Sequence, residues 1–412
     1  LWSRGLGDVY KRQSYNIAIG KDAASKLTTG SSNVAIGASV MSLSAVTGSY
    51  NIAMGLNSLD RLTTGVYNVA VGASVLSQGT VTGSKNIAMG LNTLDRLTSG
   101  SNNVAVGTSA MSLSAVTGSK NIALGVDSLD RLTTGSNNVA VGYSTMSLGT
   151  VTGSDNTAIG ANALDQLTTG VNNVALGKNA APLTTTGSRN IAIGLSVLSS
   201  NTTGSDNIAI GKDALSNSTT AAGNVAIGNF AMDGAAVTGT DNIAIGKNSL
   251  NLLSTGSENT GIGFKALSKL ATGNDNVAIG KWAAAWIVNG SRNVAIGSSV
   301  MSGAGTDVND NIAIGKDALN TITTGDNNTA IGKVALMNLT TGTYNVGIGD
   351  SVMQLSAVTG SGNIAIGRNA LDKVTAGNNN IAIGKDTATA IGTGSNNVAI
   401  GSGVMHAATT SN

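Results

Sequence analysis

From Asn16 to Gly401 the chain repeats one short pattern: Asn, an apolar residue, a small residue, a second apolar residue, then Gly. Asn51-Ile52-Ala53-Met54-Gly55 is representative. The pattern occurs 23 times, from Asn16, Asn33 and Asn51 to Asn380 and Asn397, and every spacing is 17 or 18 residues. Alternation of Ile52 and Met54 with Ala53 is the period-2 signature of a strand with one face in a core. A repeat this short predicts stacked coils rather than globular domains. The expected fold is therefore mainly all-β, a single-stack parallel β-solenoid or β-roll of about 23 coils of 17–18 residues. Stacking at the ~4.8 Å spacing of adjacent strands would make it a rod on the order of 110 Å long.

Each coil carries further markers. Gly55 ends the strand, and glycine holds that place in all 23 copies. A second glycine stands three residues before the next Asn in 20 of 22 cases, Ala221 and Val308 being the exceptions. Fixed glycines of this kind signal positive φ or close approach between layers. Two residues after the strand glycine comes Ser, Asn or Asp in 18 of 23 coils, a helix N-cap or Asx-turn signal. Leu59 and Leu62, at i and i+3, suit a short helical turn, and a second short strand through Leu62-Thr63-Thr64 is the competing reading. Up to Asn156, coils of 17 and 18 residues alternate, with closing arcs like Leu59 to Gly65 and Met41 to Gly48. Beyond Asn156 the alternation lapses, and Phe230, Trp282 and Trp286 replace small or polar residues, which marks places where a ligand surface could be grafted.

The phase of the strand decides what faces water. The natural assignment buries Ile and Val, which fill the first position in 20 of 23 coils, and turns the middle residue outward. That residue is Ala in 21 coils, from Ala18, Ala53, Ala140 and Ala175 to Ala399, and Gly at Gly261 and Gly347. A small apolar stripe of that length predicts an interface with something that covers it. The Asn at the head of every strand is expected to form a structural ladder of side-chain amides at a solenoid corner, not a metal or sugar site.

Composition changes this picture little. The chain has 412 residues, 56 glycines, one proline, no cysteine and a formal net charge of +2. β-Branched residues at fixed phase argue against disorder. Singly scattered charges argue against nucleic acid as a partner. No apolar run is long enough to span a membrane, so no membrane contact is expected of this segment. Leu1 to Gln13 lacks the repeat and resembles the in-frame translation of a transposase-type sequencing adapter. It is expected to be a non-native leader, with residues 14–405 forming the solenoid and residues 406–412 an irregular tail.

The motif Gly-x-x-Asn-[Ile/Val]-Ala-[Ile/Val]-Gly, as in Gly135 to Gly142, resembles the head repeat of trimeric autotransporter adhesins, and similar repeats occur in phage tail fibres. The resemblance covers nearly everything after Gln13. It implies a homotrimer on a bacterial surface or virion, acting as stalk or head and presenting or forming a surface for a host protein or glycan. The coils here are three or four residues longer than that family's usual repeat, which leaves cross-section and handedness open.

Catalysis needs convergent titratable groups, and the chain offers one His (His406), one Glu (Glu258) and no Cys. Asp60, Asp95 and Asp130 recur at one phase, each before an Arg, and read as a solvated charge stripe. No enzyme activity, catalytic residue, metal or cofactor is expected. The pairs Thr63-Thr64, Thr133-Thr134 and Thr168-Thr169 suggest a patchy hydroxyl array, which keeps an ice-binding solenoid and a polysaccharide-active β-helix as lesser alternatives to the fibre.

Overall fold

The computed structural model describes residues 15–234, 236–303, 307–355 and 357–405. The leader expected over residues 1–13 and the tail expected over 406–412, with His406, lie outside the described residues. The chain forms two compact units, the first ending at Ser205 and the second beginning at Asp206. Each is a parallel β-solenoid, the fold the repeat predicts. The first holds strands β1 (Ile17–Ile19) to β11 (Ile191–Ile193) and the second β12 (Ile208–Ile210) to β23 (Val398–Ile400).

Consecutive strands within each unit pair in parallel and in register, Ala beside Ala and branched residue beside branched residue. Thus β7 (Ile122–Leu124) lies on β8 (Val139–Val141) with Ile122 opposite Val139 and Ala123 opposite Ala140. In the second unit β16 (Val277–Ile279) and β17 (Val294–Ile296) pair with Ala278 opposite Ala295. Most strands are three residues long, because the glycine that follows turns the chain. At Gly55, φ is +127°, and a Cβ there would lie 2.1 Å from the carbonyl oxygen of Gly72 in the next coil. Both reasons for glycine hold at that one place.

The strand phase is the reverse of the expected one. Ala53, Ala140 and Ala175 are fully buried, whereas Ile52 and Met54 are each 39% exposed. The reason is the width of the coil. The arc sends Leu59 and Leu62 inward opposite the sheet, and both are fully buried. Little more than a methyl group fits between them and the strand. Even at Gly347 a Cβ would stand 2.8 Å from Leu336 Cγ, and at Gly261 2.7 Å from Ser249 Oγ. The larger branched residues are left on the outer face, and the small stripe is core, not an interface.

The arc contains no helix among the described residues. Two places in it are left-handed, with φ of +51° at Asn57 and +49° at Leu59, and a right-handed turn does not survive such residues. The expected N-cap residue is an αL turn residue, for which Asn and Asp are the best-tolerated side chains after glycine. The competing short strand is present only as single parallel bridges where coils of two lengths meet, such as Leu62 with Val81 and Leu132 with Val151.

The head asparagines form the expected ladder. Asn51 donates from its backbone N–H to Asn33 Oδ1 at 2.9 Å and from Nδ2 to the closing carbonyl of Gly65 at 2.9 Å. Asn68 repeats this on Asn51 and Gly83. Each amide thereby satisfies two buried backbone groups that the turn leaves without partners. A second ladder runs two residues earlier, where Ser84 Oγ accepts from the Val66 N–H and Ser101 Oγ from the Ser84 N–H.

Candidate functional site

Asp60, Asp95 and Asp130 are not a solvated stripe. They are 6%, 4% and 8% exposed, and each carboxylate accepts from the backbone and hydroxyl of a serine in the preceding coil. Ser112 Oγ, for example, donates to Asp130 Oδ1 at 2.7 Å. Burial pushes the Asp130 carboxyl above its ordinary value, partly offset by the two Ser112 hydrogen bonds. The arginines beside them stay in solvent and reach the next coil's carbonyls, as Arg96 does to Leu113 at 3.0 Å. These groups clamp coil to coil and leave no open carboxylate pair. Glu258 is exposed at the corner before its strand, at the phase that Asp241 and Asp275 take in the adjacent coils.

The threonine pairs divide as well. Thr63, Thr133 and Thr168 are half-buried and donate to carbonyls of the following coil, at 3.1, 3.2 and 3.0 Å. Only the second threonine of each pair, such as Thr64, faces water. The arc therefore presents a single column of exposed threonines instead of a paired array. Among the described residues no group of three or more His, Cys, Asp or Glu side chains could hold a metal ion, and no helix is long and apolar enough to cross a membrane.

Two surfaces depart from plain scaffolding. The first is the outer face of each sheet, where the first and third strand residues are branched or long apolar side chains left in contact with water. Ile87 and Met89 are 40% and 42% exposed in the first unit, Ile243 and Ile245 37% each in the second.

The second lies on the arc of the second unit. Two residues after the strand glycine the backbone is left-handed, and the five coils that lack Ser, Asn or Asp there have Phe230, Lys265, Trp282, Val334 and Gly403. Phe230, Lys265 and Trp282 hold φ of 59°, 58° and 61°. Asn248, Lys265 and Trp282 stand at this place in three successive coils. Four residues further on come Leu252, Lys269 and Trp286, with Asn251 and Ser268 between the two rows. These eight side chains line a cleft of about 280 Å³.

The cleft is held from below and from the side. Asn251 Nδ2 donates to the Phe230 carbonyl at 3.0 Å and Ser268 Oγ to the Ala285 carbonyl at 3.1 Å. Lys265 Nζ sits 4.5 Å from the centre of the Trp282 ring, and Phe264 meets that ring edge-on at 5.7 Å. Lys269 Nζ lies 5.7 Å over Trp286, which is 47% exposed. Of the aromatic departures visible in the sequence, Trp282 and Trp286 thus share a cleft. Phe230 lies outside its lining and faces Lys212 at 5.3 Å. The other six escape the sequence reading; Asn248, Leu252, Lys265 and Lys269 share the tryptophans' phase, which is the signal that finds them, whereas Asn251 and Ser268 lie between the rows.

Fold and sites together define a repeat protein of the parallel β-solenoid class. No protein-family model matches the chain, and no curated protein matches it either.

Proposed function

We propose that the chain is a structural and adhesive segment of an extracellular fibre, assembled as a homotrimer through the outer faces of its sheets on a bacterial surface. The observation that carries this reading is the pair of exposed branched columns, such as Ile243 and Ile245, that flank the buried alanines coil after coil. A contiguous apolar face of this kind is a poor surface for a lone chain in water. Another copy of the same chain is the natural cover, because only it repeats with the same 17- and 18-residue rhythm and brings matching columns into register. The alanine stripe, expected to be a covered interface, is core; the homotrimer that the adhesin resemblance implies would use the isoleucines and valines instead. A phage tail-fibre shaft would use the same assembly; the arc cleft, which a plain shaft does not need, favours the adhesin.

Sedimentation tests the assembly. The native chain is expected to run as a trimer at micromolar concentration, and Ile243→Lys with Ile245→Lys to shift it toward monomer without loss of β-structure. A native chain that is already monomeric refutes it.

A further inference from the structure

We infer that the cleft between Trp282 and Trp286 binds a carboxylated sugar, a hexuronate or sialic-acid-type unit of an acidic glycan. The inference deepens the adhesive reading and rests on it for its biological sense, but the cleft is contained in one chain and is testable without assembly. Three features lead to it.

The first is composition against the repeat. In 18 of 23 coils the place two residues after the strand glycine takes Asn, Asp or Ser, polar side chains that go with a left-handed backbone. Lys265 and Trp282 hold that conformation without such help. Substitutions that work against the local backbone, on adjacent coils and lining one cavity, are retained for what they contact.

The second is uncompensated charge. Lys212, Lys316 and Lys385 each pair with the aspartate that follows, Asp213, Asp317 and Asp386, at 3.6, 3.8 and 3.6 Å. In the cleft the coil pattern is shifted: the lysines stand at the lining positions and no Asp or Glu is among the lining residues. Lys265 and Lys269 are steadied over indole faces, which orients an ammonium while leaving its donors available. They supply two point charges for one anionic group.

The third is the mix of surfaces. Aromatic faces receive the apolar C–H face of a sugar ring, the Asn248 and Asn251 amides offer groups for hydroxyls, and the lysines take the carboxylate. The cavity lies near the lower end of the ~300–1,000 Å³ of small-ligand sites, which suits one ring and not an extended polymer. Single-stranded nucleic acid would also stack on indoles, but it needs a basic groove that continues along the backbone. The coils that build the cleft carry Asp241, Glu258 and Asp275 on the corner before their strands.

The test uses the full chain with trigalacturonate, a hyaluronate tetrasaccharide and 3′-sialyllactose, and with maltotriose and oligo-dT as comparators. Binding is read by calorimetry and by tryptophan fluorescence, to which Trp282 and Trp286 contribute two of the three tryptophans. At least one acidic saccharide is expected to bind at millimolar concentration or below and to be weakened by salt. Lys265→Asn and Trp282→Asn restore the side chain that other coils carry, so they are expected to keep or raise thermal stability. Each should weaken binding about tenfold or more, as loss of one charge-assisted or stacking contact does. No binding by any acidic saccharide, equal binding of maltotriose or oligo-dT, or native affinity in both variants would each overturn the assignment. Ile243 and Ile245 are not among the residues that line the cleft, so loss of trimer with retained binding in Ile243→Lys with Ile245→Lys separates failure of the assembly from failure of the site.

Discussion

Ala123→Leu in β7 probes the inverted strand phase most directly. Ala123 is fully buried, and its neighbours Ile122 and Leu124 are each 36% exposed. The space around the equivalent position in other coils is already closed, since a single Cβ at Gly347 would meet Leu336 Cγ at 2.8 Å. Leucine adds three carbons to a methyl group that just fits. Forcing methylenes into a packed core costs about 1–3 kcal/mol. The strain is expected at the top of that range. Ile122→Thr is the opposite case: it exchanges a partly exposed ethyl branch for a hydroxyl on the outer face, and Thr157, Thr260 and Thr329 already occupy that place. Its cost should stay below about 1 kcal/mol. Repeat arrays unfold locally, so one melting temperature is a poor readout. Hydrogen exchange of the strand amides from β7 to β8 is the assay. Ala123→Leu should raise exchange there well above that of native protein, with Ile122→Thr near native. Native protection in the Ala123 variant together with collapse in the Ile122 variant would mean that alanine faces water after all.

Two further outcomes follow from the ladders. Asn138→Ala removes the acceptor of the Asn156 N–H at 3.0 Å and the donor to the Gly153 carbonyl at 2.9 Å. With ~1–3 kcal/mol for each buried group left unpaired, it should cost about 2–6 kcal/mol in local opening energy by hydrogen exchange, and an unchanged value would deny the ladder its role. Asp130 has a folded value raised by burial, so between the ordinary carboxylate range and that value the native chain holds the extra proton and stability falls as pH rises. The advantage of Asp130→Asn over the native chain in denaturant melts should therefore be largest at neutral pH and shrink on acidification. A difference that does not change with pH would contradict it.

The sequence states the architecture plainly because the repeat is short and its glycines and asparagines are each tied to one turn. A turn that brings the same backbone atoms together in every coil leaves the same residue in every coil. What it misstates is the face. Hydrophobicity alone puts isoleucine inside, yet the decisive signal is tolerance of size. The first strand position accepts Ile, Val and Thr, while the middle one accepts only Ala and Gly. A position limited by volume is facing a neighbour, and a position that exchanges Ile for Thr is facing outward. The aspartates mislead for a related reason. Asp60 precedes an arginine and so resembles a surface pair, but its partner is Ser42, 18 residues back, in a coil that local reading cannot place beside it. The cleft is half legible: the tryptophans stand out by type, whereas Lys265 and Lys269 look ordinary until the coils are aligned and they fall in the same two rows.

The same alignment explains how one repeat can carry both proposed roles. The proposed assembly would use the first and third residues of the strand, and the proposed ligand site the second and sixth residues after the glycine. The inward-facing strand Ala, arc Leu or Met and head Asn belong to neither set, and they stay small, apolar and amide-bearing respectively from coil to coil. Substitution on either surface therefore leaves the core untouched, which is why Phe264, Lys265 and Trp282 sit in coils whose Asn259 and Asn276 ladders are intact. In the proposed trimer the sheet faces are covered and the arcs stay in solvent, so each chain contributes one open cleft. Three weak sites on one assembly raise the residence of a repeating acidic glycan far beyond that of a single site, provided the glycan spans them. Each cleft takes one acidic ring, so a glycan that carries many such rings can engage the three proposed sites at once.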